Sequence, residues 1–302
     1  MQDTNTNVFA EPIKYRIDFL KYRYFWLAVS IGFLVIGGIA YFIKGGFNYH
    51  IDFTGGAELR ISFEEATDTS KLRDVMSDKG MKDAIIQSVG NTGKDFLIRI
   101  GSMSSDTEAQ VKTAFSQGLP NNKMRVDNIQ WVGAEVGKDT TKNAVMAVLL
   151  SLIILLLYIA VRFEFRFGIG AVMSLVHDVL AIMVFILLTG EPISLHVLAS
   201  ILAVLGYSMN DTIVIFSRIR ENLKKLHGAS EYDITNLSIN QTLRRTLLTS
   251  FATLLSVLAI VILGGETLRG LSIVMLVGII VGTYSSIYIA SPVMLAIKAK
   301  KN

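Results

Sequence analysis

Six long apolar runs punctuate the chain, over residues 24–43, 143–161, 167–189, 193–216, 247–263 and 271–297. Most of them approach or exceed the ~20 residues that an α-helix needs to cross a ~30 Å hydrocarbon core. In hydrocarbon a backbone N–H or C=O finds no water, so a spanning segment must satisfy its own backbone, which a helix does. The composition agrees: 51% of the 302 residues are hydrophobic and 18% are charged, too apolar a balance for an ordinary soluble domain. The sequence therefore predicts a polytopic α-helical membrane protein with six transmembrane helices.

The positions of the charges set the orientation. Lys14, Arg16, Lys21 and Arg23 precede the first run, and Arg162 and Arg166 fill the link between the second and third. Arg218, Arg220, Lys224, Lys225, Arg244 and Arg245 lie between the fourth and fifth, and Lys298, Lys300 and Lys301 follow the sixth. The alternate short links hold Glu191 alone, then Glu266 and Arg269. Lys and Arg concentrate on the cytoplasmic side of membrane proteins, so both termini are expected in the cytoplasm. The net charge of +4 is thereby explained without a nucleic-acid partner. Residues 1–23 read as a cytoplasmic tail, and the following helix, 24–43, is too long for the core of a cleaved signal peptide. With no Cys, disulfides and thiolate metal sites are excluded, and no metal or other cofactor is expected.

Residues 44–139 carry no spanning run and are long enough for an extracytoplasmic domain. Alternation of apolar and polar residues predicts strands over 57–63, 84–89, 95–100 and 124–132. Helices are predicted over 69–79, stopped by Gly80, and over 105–119, with Asp106 as a candidate cap. Asn91, Thr92 and Gly93 mark a hairpin turn between the second and third strands. The order βαββαβ predicts a ferredoxin-like α+β sandwich between transmembrane helices 1 and 2. No nucleophile–base or phosphate-loop pattern appears in it, so an enzyme is not expected. Residues 140–302 then form a five-helix transmembrane bundle with a cytoplasmic loop at 217–245. Within that loop Ile219, Leu223 and Leu226 recur at helical spacing. This predicts a surface amphipathic helix that either anchors the loop at the interface or docks a cytoplasmic partner.

Most polar residues inside the spans are Gly, Ser or Thr, which allow close helix packing. Three places stand apart, because charged groups at such depth are costly and face the bundle interior or a polar path. The first is Asn210–Asp211 in the fourth span. Asp211 precedes Arg218 by seven residues, which places it roughly 10 Å inside that charged boundary. Tyr207, Ser208 and Arg218 share its face. It is either a proton-relay carboxylate or a structural one satisfied by neighbours. The second is His177–Asp178 near the centre of the third span, with Ser174 on the face of Asp178. It is either part of a proton path or an interhelical hydrogen bond. The third is Arg244–Arg245 at the entrance of the fifth span, either a cytoplasmic anchor or a counter-charge for Asp211.

These residues lie in motifs that resemble the SecF family of bacterial protein-export membrane proteins. GYSMNDTIVIFSRIREN (206–222) is similar to that family's signature. IDFTGG (51–56), HDV (177–179), INQTLRRTLLTS (239–250) and GTYSSIYIASPVML (282–295) follow the family's order and spacing across nearly the whole chain. The resemblance implies pairing with SecD, a larger protein with its own six helices and external domain, in a unit related to the resistance–nodulation–division transporters. It implies work beside the SecYEG channel, where the proton-motive force helps to draw a translocating polypeptide outward across the bacterial cytoplasmic (inner) membrane. It implies Asp211 and Arg245 as the proton-coupling residues, with Arg245 preferred to Arg244 because a Thr and apolar residues follow it. Asn210, Asp178, His177 and Arg244 are secondary candidates. Asp52, Gly55 and Gly56 are candidates for a hinge at the base of the external domain, where the glycines permit unusual dihedrals; a simple turn is the other reading.

The chain departs from the family pattern at Ser217, where many members carry Asp, and at Ala134 and Glu135, where Pro and a neutral polar residue are common. Two rival functions share much of this layout. One is a proton-coupled exporter of small molecules or lipids; the other is an assembly factor that transports nothing.

Overall fold

The structure is a computed structural model that describes residues 16–81, 84–90, 92–101, 107–226 and 228–297. Lys14, Asn91, Asp106, Lys298, Lys300 and Lys301 lie outside the described residues. Two compact units are present, Met1–Asn48 with Val148–Asn302, and Tyr49–Ala147.

Among the described residues six helices are long and apolar enough to cross a membrane. They are α1 (Arg23–Lys44), α5 (Ala134–Arg162), α6 (Phe165–Thr189), α7 (Leu195–Lys225), α8 (Glu231–Leu263) and a last one in two parts, α9 (Gly265–Ser285) and α10 (Ser291–Ala296). A π turn, Ser286–Ala290, joins those parts. Its cause is Pro292 in the first turn of α10, which supplies no N–H to the ladder. In the same turn the Ser291 hydroxyl donates to the Ser286 carbonyl at 3.1 Å.

The inner core of the bundle is made by α6, α7 and α9, and its closest approaches occur at glycines. A Cβ at Gly278 would meet the Val204 side chain at 2.5 Å, and one at Gly282 would meet Ser208 Cβ at 2.8 Å. One at Gly37 would meet Val184 at 2.1 Å, so α1 also lies hard against α6. Small residues drive this packing because lipid gives apolar helices no hydrophobic reason to associate. At the outer end of α1, the Lys44 ammonium donates to the carbonyls of Leu187 and Leu188 at 2.9 and 2.8 Å, closing the end of α6.

The stretch expected to be loop, 217–245, is mostly helix. α7 continues to Lys225, and after a short turn around Gly228 α8 begins at Glu231, where the Ser230 hydroxyl accepts from the Asp233 N–H. The expected surface helix is therefore the end of α7. Its apolar stripe is packed in the bundle: Ile219 is fully buried and Leu223 lies against the same core as Phe163, Phe167 and Phe216. Asn236 and Asn240, one turn apart on α8, hold the segment before α1 by its backbone. Asn240 accepts from the Ile17 N–H at 3.0 Å and donates to the Ile17 carbonyl at 2.7 Å, and Asn236 accepts from the Phe19 N–H at 2.9 Å.

The second unit is the expected ferredoxin-like sandwich. Its strands are β1 (Gly56–Phe63), β2 (Ile85–Val89), β3 (Asp95–Ile100) and β4 (Met124–Val132), in spatial order β2-β3-β1-β4, all antiparallel. Helices α3 (Thr69–Asp78) and α4 (Thr107–Gly118) share one core with the sheet, built from Leu59, Ile61, Phe63, Leu72, Met76, Phe96, Ile98, Val111 and Phe115. Alternate residues of β1 point into it, as a period of two requires. A single turn, α2 (Ile51–Thr54), precedes β1. Between them Gly55 and Gly56 both take positive φ, at 72° and 121°. A Cβ at Gly56 would fall 2.3 Å from the Ile100 carbonyl oxygen, and one at Gly55 would fall 2.8 Å from Ala134 Cα. Only glycine fits this joint. α5 starts at Ala134, so residues 134–139, expected within the extracytoplasmic domain, already belong to the long helix.

The glycine contacts separate two kinds of position. Gly278→Leu forces α9 away from Val204 and is expected to lower the melting temperature of the purified protein, by the roughly 1–3 kcal/mol that overpacking costs. Gly206→Leu, where an added Cβ meets nothing within 4 Å, is expected to leave it unchanged. Thermal unfolding in mild detergent checks both.

Candidate functional site

α7 starts cleanly because the Ser194 hydroxyl accepts from the Val197 N–H at 3.2 Å. Val197, Ser200, Ile201, Val204, Leu205, Ser208, Asp211, Thr212 and Ile215 then fall on its buried face at helical spacing. Asp211 is thus carried inward by the same period that packs the apolar residues, and is 3% exposed. Asn210, one position earlier, is exposed.

The carboxylate of Asp211 is not fully satisfied. Its Oδ2 is buried without a hydrogen-bond partner. A buried acceptor left unpaired costs roughly 1–3 kcal/mol, more when charged, and such a group calls for an explanation. Its expected companions on the helix face go elsewhere. Tyr207 donates to the Ser250 hydroxyl at 2.9 Å, and Ser208 donates to Asp178 Oδ2 at 2.5 Å. Arg218 donates to Gln241 Oε1 and Glu221 Oε2, both at 2.6 Å.

Arg245 is within electrostatic reach of Asp211 but makes no ion-pair contact with it. The reason lies in the register of α8. Thr242, Thr246 and Ser250 form its buried row, and Arg244 and Arg245 fall off that row onto the exposed side. The direct counter-charge envisaged for Asp211 is therefore absent in this state, and a separation remains between the two charges. The hydroxyl of Thr246, next to Arg245, is likewise buried without a partner.

Asp178 has a different environment. It is fully buried on α6, its Oδ2 accepts from Ser208, and its Oδ1 faces His177 Nδ1 at 3.4 Å. Ser174, expected beside it, bonds instead to Ser285 on α9 at 2.9 Å. Sequence reasoning placed Ser208 on the face of Asp211 and gave Ser285 no role beyond packing; both carry interhelical hydrogen bonds. It missed Ser30 and Tyr284, which extend the network from His177. A Ser is common in spans, and Tyr284 stood out only as one residue of the GTYSSIYIASPVML match. Among the described residues no group of three His, Cys, Asp or Glu is placed to hold a metal ion.

The family described as protein export membrane protein SecD/SecF, C-terminal, matches residues 111–300. A protein translocase subunit SecF from Rickettsia bellii is 38% identical over 297 residues, covering 96% of each chain. The chain belongs to the SecF family. A SecF from Pseudomonas aeruginosa is 39% identical, covering 92% of this chain and 90% of its own. The crystal structure of SecDF from the Thermus source, a translocon-associated membrane protein, superposes with a TM-score of 0.83 at 36% identity. That match covers 95% of this chain and 39% of the SecDF chain, so the chain corresponds to well under half of that longer protein.

In this SecF-family chain a further charged cluster lies outside the membrane spans, beside IDFTGG. His50 Nδ1 is 3.1 Å from Asp52 Oδ1 and His50 Nε2 is 3.0 Å from Glu58 Oε2, which also receives Arg99 Nε at 2.6 Å. The cluster ties α2 to β1 and β3. Sequence reading missed it because Glu58 and Arg99 meet only through strand pairing, directly opposite each other in the register. Burial alone would lower the His50 pKa. Hydrogen bonds and charge from Asp52 and Glu58 outweigh it and raise the value from 6.5 to about 9. Burial would raise Glu58, but His50 and Arg99 hold it below its ordinary value.

The sign of the pH dependence follows from these directions. His50 binds its proton more tightly in the folded domain, so its contribution is complete below about pH 6.5 and is lost as pH rises through about 9. Glu58 contributes above its ordinary 4.5 and loses that contribution as pH falls through its lowered value. Hydrogen-exchange protection of the β1–β3 amides in the full-length protein, corrected for intrinsic exchange, is expected to fall between about pH 6.5 and about pH 9. His50→Gln is expected to abolish that fall and to cost on the order of 3 kcal/mol at neutral pH.

Proposed function

We propose that this chain is an accessory subunit of Sec protein export that works with a SecD-type partner and uses the proton-motive force to promote outward movement of a translocating polypeptide. The observation that carries the reading is Asp211, a buried carboxylate with an unpaired oxygen and Arg245 within electrostatic reach. The family supplies the setting, since its members are named translocase subunits and the matching crystal structure is described as translocon-associated.

Asn210, Arg244 and Arg245 lie on exposed faces of membrane-spanning helices. Arg244 and Arg245 stand at the entrance of the fifth span, and the exposed side of α8 there is where a partner would cover them. In the proposed cycle, a proton entering at Asp211 cancels its attraction for Arg245, and α7 and α8 move relative to each other. When the proton leaves, the attraction returns. Movement is passed to the external domain, with the Gly55–Gly56 joint as the pivot. The domain holds the translocating chain and biases it outward, beside the SecYEG channel.

The energy scale constrains the stoichiometry. One proton crossing ~100 mV supplies about 2.3 kcal/mol. Inverting a two-state population from about 1:99 to 99:1 takes roughly 5.5 kcal/mol. About two or three protons per full swing are therefore required.

Vesicles containing the chain, a SecD-type partner and the Sec channel test this. Asp211→Asn and Arg245→Met are each expected to reduce export driven by a proton gradient by about 5- to 150-fold, the range of a 1–3 kcal/mol coupling. Full activity at normal protein levels would sink the coupling role. Accumulation of a drug or lipid, rather than of secretory precursors, in cells lacking the protein would favour an exporter. Normal export with Asp211 replaced, but not with the protein absent, would favour an assembly factor.

A further inference from the structure

The hydrogen bonds around His177 run in one direction, and that direction fixes where a proton sits. Tyr284 on α9 donates its hydroxyl proton to the Trp26 carbonyl at 2.7 Å, and a carbonyl can only accept. Ser30 on α1, 2.8 Å from the Tyr284 oxygen, must then be the donor to it. His177 Nε2, 3.1 Å from the Ser30 oxygen, must in turn carry a hydrogen and donate. At the other end, Ser208 gives its one proton to Asp178 Oδ2. The remaining contact is His177 Nδ1 against Asp178 Oδ1.

With Nε2 protonated, a neutral imidazole turns a lone pair toward the carboxylate. Without a further proton the pair would carry a bare negative charge inside the bundle, which is costly. One proton between Nδ1 and Oδ1 makes the pair net neutral, as imidazolium with carboxylate or as imidazole with carboxylic acid.

We propose that His177 and Asp178 are a positioning unit for Asp211, in which the proton they share sets the rotation of α7 through the Ser208 hydrogen bond. Ser208 and Asp211 are one turn apart on the same buried face of α7. Ser208 is also one of the places where α7 lies hard against α9, at Gly282. Loss of the shared proton changes the charge that Ser208 addresses, and a small rotation at Ser208 is carried by a rigid helix to Asp211. The groups facing the pair are few. α1 presents Ser30 and the Trp26 carbonyl, and α9 presents Tyr284, whose ring lies 5.8 Å from that of His177. α7 presents Ser208 and, a turn on, Asp211; α8 contributes Arg245, which acts on Asp211. The inference rests on the proton-coupling reading of Asp211.

The test uses the full-length chain reconstituted in lipid with a SecD-type partner. The protein has no cysteine of its own. Spin labels at Gly38→Cys on α1 and Gly206→Cys on α7 report the distance between those helices, since an added Cβ at either glycine meets nothing within 4 Å. Asp211→Asn is included to remove the titration of Asp211 itself. In that background the mean distance is expected to change by about 1–2 Å between acidic and alkaline buffer. Asp178→Asn, which keeps an acceptor for Ser208 but cannot share the proton, is expected to abolish the change. Ser208→Ala, which removes one hydroxyl and leaves the pair intact, is expected to abolish it too, and serves if Asp178→Asn does not accumulate. A distance that does not respond to pH in the Asp211→Asn chain, or a response that survives either substitution, overturns the proposal. Export measured on Asp211→Asn alone decides the earlier reading separately: full export overturns proton coupling at Asp211, whereas defective export with no distance response overturns only the role of the pair.

Discussion

A polar atom placed in hydrocarbon must find its partner within the protein, and the arrangement of the helical unit follows from that requirement. Ser174 bonds Ser285, Tyr207 bonds Ser250, and Ser250 meets Thr283 at 2.7 Å. Each bond joins two helices at one fixed height. Because lipid offers no hydrophobic gain for bringing apolar helices together, these bonds and the glycine contacts decide which helix lies beside which. Gly278 and Gly282 let α9 approach α7, and that approach brings Ser208 into a site where it can also reach Asp178.

Against this background the two buried carboxylates differ in kind. Asp178 is satisfied from two helices and belongs to a network that ends on a backbone carbonyl. Asp211 retains an oxygen without a partner, with Arg245 of α8 within electrostatic reach but not paired to it. A satisfied group holds a structure in place; an unsatisfied one has something to gain by changing its proton or its neighbour. The two lie on adjoining helices, and Ser208, which bonds Asp178, stands one turn from Asp211 on α7, so the two sites are mechanically connected.

The external unit follows the opposite economy. It is a water-facing domain with an ordinary aromatic and aliphatic core, and its charged cluster works because His50 is shielded enough for its carboxylate partners to matter. His50, Asp52, Gly55 and Gly56 are neighbours in sequence. Glu58 and Arg99 join them because antiparallel pairing places those two opposite each other. The cluster therefore depends on the sheet register, and a slip of one residue would turn both side chains to the other face.

Much was legible in the residues themselves. Helix number, the βαββαβ order, the inward face of Asp211 and the need for glycine at residues 55 and 56 follow from periodicity, length and backbone sterics, which are local properties. The end of α7 was misread as a surface helix because an amphipathic stripe has the same pattern whether it meets a membrane surface or a neighbouring helix. The network of Asp178 was out of reach, since Ser208, Ser30 and Tyr284 lie on other helices; Arg245 was legible as a candidate counter-charge for Asp211, but its failure to pair with it was not. The sequence by itself determined that charged groups enter the membrane and which helix faces carry them. Only the tertiary structure decided that Asp178 is satisfied while Asp211 is not, because hydrogen bonding depends on the rotation and height of one helix against another, and those are set by packing over the whole bundle.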